Sequence, residues 1–381
     1  FVMTKSFHRM DSFEVNCAHL DLFRQTRKMS SPVFPPAPEH RFASDNNATV
    51  HPVVMEALNR ANAAHATAYG DDPWTAQARA AFNELFGQQV ETFMVWNGTG
   101  ANVLALATML SPAGAVICSD SAHINVDETG APERILGAKL IDLPAIGGKI
   151  TPDQVRSQAH ALGVVHHVQP SVLSITQSTE WGTLYSPTEI ANLCDAAHSM
   201  GMTVHLDGAR IANATAALGG NQEALRSFTV DAGVDVISFG GAKNGIMYGE
   251  AVIYLNRDLA RSAPFVQKQV TQLPSKVRFI SAQFSALLAD DLWLKNATHA
   301  NDMATQLFEQ TCHLPGVVLD QAPVVNSIFP ILSPEQIEPL REWSFFYDWD
   351  PHAHQVRWMT AWDTRPADLD HFVAGLRHFI H

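Results

Sequence analysis

Paired cysteines, long apolar runs and an excess of basic charge are all missing from this 381-residue chain. Its four cysteines, Cys17, Cys118, Cys194 and Cys312, form neither a C-x-x-C pair nor a zinc-ligand pattern, which indicates free thiols in a reducing compartment. The net charge of −13 argues against nucleic acid or an anionic membrane as the main partner. No apolar run reaches the roughly 18 residues that a membrane span needs, and the N-terminus lacks the apolar core of a signal peptide. These absences favour a cytoplasmic protein and give no indication of a metal site.

What the chain does contain is the composition of a globular protein with a large core. Apolar residues make up 46% and charged residues 17%, against a roughly 25% average for charged residues. The length corresponds to about two domains. Residues 1–40 are mixed and end in a proline-rich stretch, so we expect a poorly ordered N-terminal extension, with Met29 as a candidate natural start. We expect a large domain over residues 41–295 and a small C-terminal α/β domain over residues 296–381.

Strands and helices alternate from about residue 50 to 290, which predicts an α/β fold. Several strands are continuous apolar runs, as in a mostly parallel central sheet flanked by helices on both faces. Three helix starts, at 151–154, 186–189 and 333–336, combine a hydroxyl N-cap, proline at the first position and Glu or Gln at the third. The strands are predicted at 92–96, 115–119, 139–143, 171–176, 203–206, 234–239 and 250–255, and in the C-terminal part at 317–319, 327–332 and 355–360.

Gly98-Thr99-Gly100 follows the first predicted strand and precedes an apolar helical run at 103–110. Glycines let backbone N–H groups approach a phosphate, whose charge a helix N-terminus favours. The Thr99 hydroxyl adds a further donor. By itself the motif is equally compatible with a tight strand-to-helix turn. Neither the complete dinucleotide fingerprint nor the P-loop pattern is present, which disfavours a nicotinamide enzyme.

The motif His205-Leu206-Asp207-Gly208-Ala209-Arg210 ends another predicted strand. On a strand, His205 and Asp207 face the same way, and the carboxyl end of such a strand is where α/β folds place their sites. Asp207 can keep a pyridine nitrogen protonated, and Ala209 is small enough to lie under a flat ring. Arg210 can hold a carboxylate with its bidentate fork. The alternative for this motif is an N-cap aspartate and a surface arginine.

Lys243 follows the apolar run 234–239 and has glycines on both sides. Burial lowers a lysine pKa and favours the nucleophilic amine that forms a Schiff base. His123, just after the strand 115–119, can stack on a ring and act as acid or base near neutral pH. Taken singly, the lysine is compatible with a tight turn and the histidine with a structural role. With Asp207, the set is what an enzyme using pyridoxal 5'-phosphate (PLP) needs.

In order along the chain, these motifs resemble the threonine aldolase family of fold-type I PLP enzymes, over roughly residues 41–381. Lys243 falls at the position of the Schiff-base lysine. The matching motifs are Ser44-Asp45-Asn46, Tyr69-Gly70-Asp71-Asp72-Pro73, Gly98-Thr99-Gly100, the H-x4-E-x-G spacing of His123, Glu128 and Gly130, and His205-Leu206-Asp207-Gly208-Ala209-Arg210.

The resemblance implies a role at each matching position. Lys243 would carry PLP, Asp207 would pair with its pyridine nitrogen, and His123 would stack on its ring. Gly98, Thr99 and Gly100 would hold the phosphate. Arg210 and Arg357, helped by Ser44, would bind the substrate carboxylate. Arg278 would reach a phosphate across a subunit interface and Tyr69 would serve the neighbouring site, because the family builds its sites at a dimer interface, often within a homotetramer.

The expected reaction is retro-aldol cleavage of a β-hydroxy-α-amino acid, such as threonine, allo-threonine or phenylserine, to glycine and an aldehyde. His123 is the first candidate for the base, with His65 and Glu128 behind it. β-Elimination or transamination at the same site is the nearest alternative, and a non-catalytic α/β protein is a more distant one. Many family members have E-N-T-H-N before the helix that starts at 186–189, whereas residues 176–183 contain no histidine. Tyr69, Trp74 and Trp181 are compatible with a pocket lining or with core.

Overall fold

The computed structural model describes residues 35–380. The prediction of a poorly ordered N-terminal extension therefore falls mainly on residues outside the described part. Residues 35–40 are fixed at two points: the indole Nε1 of Trp343 donates to the carbonyl oxygen of Pro35 at 2.8 Å, and His40 Nδ1 lies 2.8 Å from Asp368 Oδ2. Within this described range, no helix has the length and apolar character needed to cross a membrane.

A mixed sheet, seven-stranded within the described residues, confirms the predicted α/β class. Its strand order is β1-β7-β6-β5-β4-β2-β3, and every strand runs the same way except β7, which is antiparallel to both neighbours. The predicted ends differ from the observed ends by at most two residues. The strands are β1 Glu91–Val95, β2 Gly114–Ser119, β3 Lys139–Leu143, β4 Gln169–Thr176, β5 Thr203–Gly208, β6 Val236–Phe239 and β7 Glu250–Tyr254.

Helices cover both faces of this sheet, as the continuous apolar strands predict. On β2, Ile117 packs into one buried core, whereas its neighbours Val116 and Cys118 pack into another on the opposite face. The helices are α1 Pro52–Ala61, α2 Pro73–Phe86, α3 Gly98–Met109, α4 His123–Val126, α5 Ala131–Leu136, α6 Pro152–Ser157, α7 Pro187–Ser199, α8 Ile211–Ala217, α9 Gln222–Ser227, α10 Ala263–Gln269, α11 Arg278–Leu288, α12 Leu292–Thr311, α13 Pro334–Trp343 and α14 Pro366–Phe379. Helices α6, α7 and α13 begin at the prolines of the three predicted helix starts.

A smaller antiparallel sheet lies in the C-terminal part and has its own core around Phe42, Trp358 and Phe372. The predicted strand at 327–332 is two short strands separated at Phe329-Pro330, because proline has no N–H for a ladder. Strand β11 was not predicted, since its residues form no apolar run. The domain boundary at 295/296 stays a prediction, and α12 runs across it. The strands are β8 Val317–Val318, β9 Ser327–Ile328, β10 Ile331–Leu332, β11 Tyr347–Asp350 and β12 Gln355–Met359.

A buried ion pair joins the segment before α1 to the end of β5. Arg210 Nε donates to Asp45 Oδ2 at 2.7 Å and its Nη2 donates to Asp45 Oδ1 at 2.9 Å, while the Asp45 side chain is 1% exposed. Asn326 Nδ2 donates both to Asp45 Oδ2 at 3.1 Å and to the carbonyl oxygen of Thr360 at 2.8 Å. Burial raises the pKa of the Asp45 carboxyl, but the charge and hydrogen bonds of Arg210 outweigh burial and hold that pKa below its ordinary value.

Asp45→Asn should lower the free energy of unfolding by about 3–5 kcal/mol, because it leaves the buried Arg210 charge without its partner. In the wild type the pair stabilises the fold above the ordinary Asp pKa, and this contribution is lost as pH falls through the lowered pKa of Asp45. Denaturant unfolding at several pH values measures both effects. Asp153→Asn, at an exposed pair with Arg156, should change stability by no more than about 1 kcal/mol. Equal effects of the two substitutions would contradict a special role for Asp45.

Candidate active site

A cavity of about 480 Å³ lies where parallel strands of the large sheet end. The segments that follow β2, β4, β5 and β6 each contribute side chains to it, as expected for the carboxyl edge of an open α/β sheet. Residues from the smaller sheet close the other side. The lining consists of Ser44, Asn46, Ser121, His123, Val126, Asp127, Glu180, Trp181, Arg210, Lys243, Tyr347, Asp348, Trp349 and Arg357.

Lys243 enters the cavity from a single 3₁₀ turn, Ala242–Asn244, just after β6. Close packing requires the two glycines before it: a Cβ on Gly240 would lie 2.2 Å from the carbonyl oxygen of Ala209, and one on Gly241 would lie 2.4 Å from the Ile246 side chain. Burial and the charge of Arg210 lower the pKa of the Lys243 amine. Among the described residues, its Nζ has no hydrogen-bond or ion-pair partner. The turn therefore presents an amine biased towards its nucleophilic form.

Asp207 lies at the end of β5 and is 4% exposed. Its Oδ1 accepts from the Ala209 N–H at 3.0 Å, and its Oδ2 accepts from Asn102 Nδ2 at 2.9 Å. The same Asn102 nitrogen donates to Glu128 Oε1 at 2.8 Å, and His123 Nδ1 lies 2.9 Å from that oxygen. A line of hydrogen bonds thus runs from His123 through Glu128 and Asn102 to Asp207, the residue predicted to meet a pyridine nitrogen. Asn102 was not among the predicted site residues.

His123 is held with its ring at the cavity. The hydrogen bond to Glu128 raises the pKa of the imidazole, although burial acts in the opposite direction. His205, in contrast, is fully buried in the sheet between the hydroxyls of Ser174 and Ser238, each 2.9 Å from a ring nitrogen. Burial lowers the pKa of His205 to about 4, so this histidine is a neutral structural residue.

The Gly98-Thr99-Gly100 motif forms the first turn of α3, which begins earlier than the predicted helical run because Asn97 caps it. Asn97 Oδ1 accepts from the Gly100 N–H at 2.8 Å. The N–H groups of Gly98 and Thr99 have no acceptor within the helix. A Cβ on Gly98 would meet nothing within 4 Å, whereas one on Gly100 would lie 2.2 Å from the Gln272 side chain. The open side of this turn is therefore at Gly98.

The two predicted carboxylate-binding arginines differ in what they contact. The fork of Arg210 is engaged by Asp45. Arg357 has no carboxylate partner within residues 35–380; its guanidinium lies 5.1 Å from the Trp349 ring centroid and 5.8 Å from that of Tyr347. Burial and the charge of Arg210 lower the pKa of Arg357 to about 10. Arg357 is thus the cation in the cavity that is available for an incoming carboxylate, with Ser44 on the same lining.

Several predicted residues do not line this cavity, among them Asp207, Ala209 and the turn Gly98-Thr99-Gly100. Tyr69 is 53% exposed and Lys268 Nζ lies 5.1 Å from its ring centroid. Arg278 begins α11 with its guanidinium 4.8 Å from the centroid of Phe279, and its buried Nε has no partner among the described atoms. Trp74 and His65 are also absent from the lining, whereas Trp181 belongs to it. The roles predicted for Tyr69 and Arg278 across a subunit interface stay predictions.

Glu180 is a cavity residue that sequence reasoning missed. It lies in the segment 176–183, which stands out in the sequence only for its missing histidine. Its Oε1 accepts from the His123 backbone N–H at 2.9 Å and from the Thr176 hydroxyl at 2.8 Å. Burial raises the pKa of its carboxyl to about 7. Trp349 and Tyr347 were missed as well, because their strand β11 was not predicted.

Comparisons with known proteins identify relatives over most of the chain. The family model described as beta-eliminating lyase matches residues 41–332. The chain is 42% identical to the low specificity L-threonine aldolase of Pseudomonas aeruginosa over 327 residues, which cover 85% of this chain and 93% of that protein. It is 40% identical to the enzyme of the same name from a Pseudomonas species over 338 residues, covering 88% of this chain and 97% of the relative.

Solved structures give the same result for the fold. The Leishmania major threonine aldolase superposes with a TM-score of 0.82 at 29% identity, covering 89% of this chain and 99% of the other. The Thermus thermophilus aspartate aminotransferase, at 16% identity and a TM-score of 0.65 over 91% of this chain and 92% of the other, shares the fold alone. The predicted fold-type I architecture is confirmed. The chain belongs to the beta-eliminating lyase family, in its threonine aldolase group.

Proposed function

We propose that this protein is a PLP-dependent carbon–carbon lyase that cleaves a β-hydroxy-α-amino acid to glycine and an aldehyde. The observation that carries the proposal is the meeting in one cavity of the Lys243 amine and the Arg357 guanidinium, which has no carboxylate partner within residues 35–380, with the cavity residue His123 linked by hydrogen bonds to buried Asp207. The relatives named low specificity L-threonine aldolases support it.

The residues present fit the cofactor. Lys243 would hold it covalently through Nζ, and Asp207 would face its ring nitrogen. His123 would stack on the ring, with Ala209 on the opposite side. The open turn at Gly98 and Thr99 would take the phosphate at the N-terminus of α3, with Gly100 completing the turn.

When bound, PLP supplies an electron sink for the pair left on Cα when a bond to that carbon breaks. The protein positions the cofactor and the substrate and supplies the charged groups that bind them. Asp207, fixed by the Ala209 N–H and by Asn102, holds a proton on the ring nitrogen. Arg357 and Ser44 bind the substrate carboxylate. Arg210 contributes its positive charge to the same wall of the cavity, although its fork is engaged by Asp45.

The aromatic residues of the cavity lining set the side-chain preference. Trp181, Trp349 and Tyr347 line the cavity, and the rings of Trp181 and Trp349 lie 5.6 Å apart in an edge-to-face arrangement. An apolar, aromatic wall of this kind accommodates the methyl group of threonine or allo-threonine and the phenyl ring of phenylserine. We propose all three as substrates.

A homodimer or homotetramer with sites at the subunit interface is part of the proposal. In such an assembly, Tyr69 and Arg278 would serve a neighbouring site. Tyr69 is exposed beside Lys268, and the Nε of Arg278 lacks a partner among the described residues. The cytoplasmic location predicted from the sequence stays a prediction.

Lys243→Ala should abolish covalent attachment of PLP and reduce cleavage of L-threonine to background, because no other described amine lies in the cavity. The visible absorbance of the protein, and mass spectrometry after borohydride reduction, measure the attachment. Lys149→Ala, whose amine binds Glu189 outside the cavity, is the control and should retain both properties. Full turnover in Lys243→Ala would refute the assignment of the lysine.

The products distinguish cleavage from the other reactions that the same residues can support. The wild-type protein should release glycine and an aldehyde from L-threonine, L-allo-threonine and L-phenylserine. Assaying each with its D-isomer determines the stereochemical preference. Release of ammonia and a keto acid instead would identify β-elimination or transamination as the activity.

Arg357→Gln should raise the KM for L-threonine by about 10- to 100-fold, the usual value of a charge-assisted hydrogen bond. Inhibition by L-threoninol, which lacks the carboxylate, should not change, because this compound has nothing for Arg357 to bind. Arg257→Gln is a matched control, since Arg257 pairs with Glu91 and neither residue lines the cavity. Equal losses for threonine and threoninol would mean that Arg357 shapes the cavity and does not bind the carboxylate.

A further inference from the structure

Cleavage between Cα and Cβ requires a group that accepts the proton of the β-hydroxyl, and Glu180 is placed to be that group. Its Oε1 is fixed by the His123 N–H and the Thr176 hydroxyl, at 2.9 and 2.8 Å. Its Oε2 is buried and has no hydrogen-bond partner in the described part of the chain. Glu180 lines the same cavity as Lys243 and Arg357, so its carboxyl group borders the space that a bound substrate would occupy.

The other nearby acid–base groups have other contacts or lie outside the cavity. His123 is the residue proposed to stack on the cofactor ring, and its Nδ1 is bound to Glu128, a hydrogen bond that raises the pKa of the imidazole. Glu128 is 6% exposed, is bound to Asn102 and His123, and is not part of the cavity lining. His65 lies outside the lining as well.

We propose that Glu180 is the catalytic base that takes the proton from the β-hydroxyl of the substrate through its carboxyl group. The inference rests on the proposed function, because it assigns a residue to the cleavage step of that reaction.

The step balances without any further reactant. The β-hydroxyl proton passes to Glu180, and the O–H electron pair becomes the second C–O bond of the aldehyde. The Cα–Cβ bond breaks and its pair remains with Cα until a proton from the Lys243 side completes glycine. Glu180 then returns its proton to solvent, so the two products contain the atoms of the substrate and nothing is oxidised or reduced.

The charges around Glu180 suit this role. Burial raises the pKa of its carboxyl to about 7, and the charge of Asp207 acts in the same direction, while the hydrogen bonds from the His123 N–H and the Thr176 hydroxyl act against it. A base with a pKa near the working pH is ionised often enough to accept a proton and basic enough to keep it. The other titratable or charged groups that interact with it are Arg210 after β5, Cys118 on β2 and Tyr185 before α7.

Glu180→Gln tests the assignment, because the amide keeps the size and an acceptor oxygen but cannot take up the proton. Two rates are compared: aldehyde release from L-threonine, and exchange of the Cα protons of glycine with deuterated solvent, followed by NMR. The exchange occurs at the same site but has no β-hydroxyl. Cleavage should fall at least about 100-fold, while exchange and the visible absorbance of bound PLP stay at the wild-type level.

Two further readouts separate a base from a structural residue. Wild-type kcat/KM for threonine should rise as the pH passes about 7, where Glu180 ionises, and Glu180→Gln should lose this rise while Glu180→Asp restores it. In infrared difference spectra of the PLP-loaded protein, Glu180→Gln should lose one carboxyl band that titrates near about 7. The band of Glu250, whose pKa burial also raises to about 7, should remain.

Glu84→Gln is the matched control: it makes the same substitution at an exposed glutamate outside the cavity lining, and should leave both rates unchanged. A Glu180→Gln protein that still cleaves threonine, or one that loses cleavage, exchange and PLP absorbance together, would overturn the proposal. A wild-type protein that binds PLP and exchanges glycine, yet cleaves no β-hydroxy amino acid, would refute the proposed function first and the role of Glu180 with it.

Discussion

The ion pair between Asp45 and Arg210 is the contact on which the rest of the site depends. It fixes the segment before α1 against the end of β5, and Asn326 extends it to the C-terminal part of the chain. Since Asp45 engages the fork of Arg210, Arg357 is, within residues 35–380, the cavity guanidinium without a carboxylate partner. Burial lowers the pKa of the Lys243 amine, the charge of Arg210 acts in the same direction, and the charge of Asp45 opposes both. One buried pair therefore gives the two arginines different roles.

A second constraint is the line of hydrogen bonds from His123 through Glu128 and Asn102 to Asp207. It joins the residue proposed to stack on the cofactor ring and the residue proposed to meet the ring nitrogen in one connected array. The hydrogen bond to Glu128 also raises the pKa of His123. In Glu180, by contrast, one carboxylate oxygen is held by the His123 N–H, and the other has no hydrogen-bond partner in the described part of the chain.

The sequence predicted the sheet well because each strand of a sheet covered on both faces must be an apolar run. It placed Lys243, Asp207, Arg357 and His123 at one site because each comes just after a strand or in a family motif. It did not reveal that Asp45 engages Arg210, since a pair 165 positions apart depends on tertiary packing. It missed β11, which is half-exposed and has no apolar pattern, and with it Trp349. Glu180 was missed because nothing in its local sequence shows that one oxygen is buried without a partner.

Gly100 illustrates how a motif can combine two constraints of different origin. Gly98 borders open space. At Gly100, the Gln272 side chain occupies the space that a Cβ would need, and Gln272 also accepts a hydrogen bond from the Trp96 N–H at 2.9 Å. A side chain at residue 100 would therefore have to displace the end of the Gln272 side chain, a neighbour far along the chain. A pair of this kind records a packing contact inside what looks like a ligand motif.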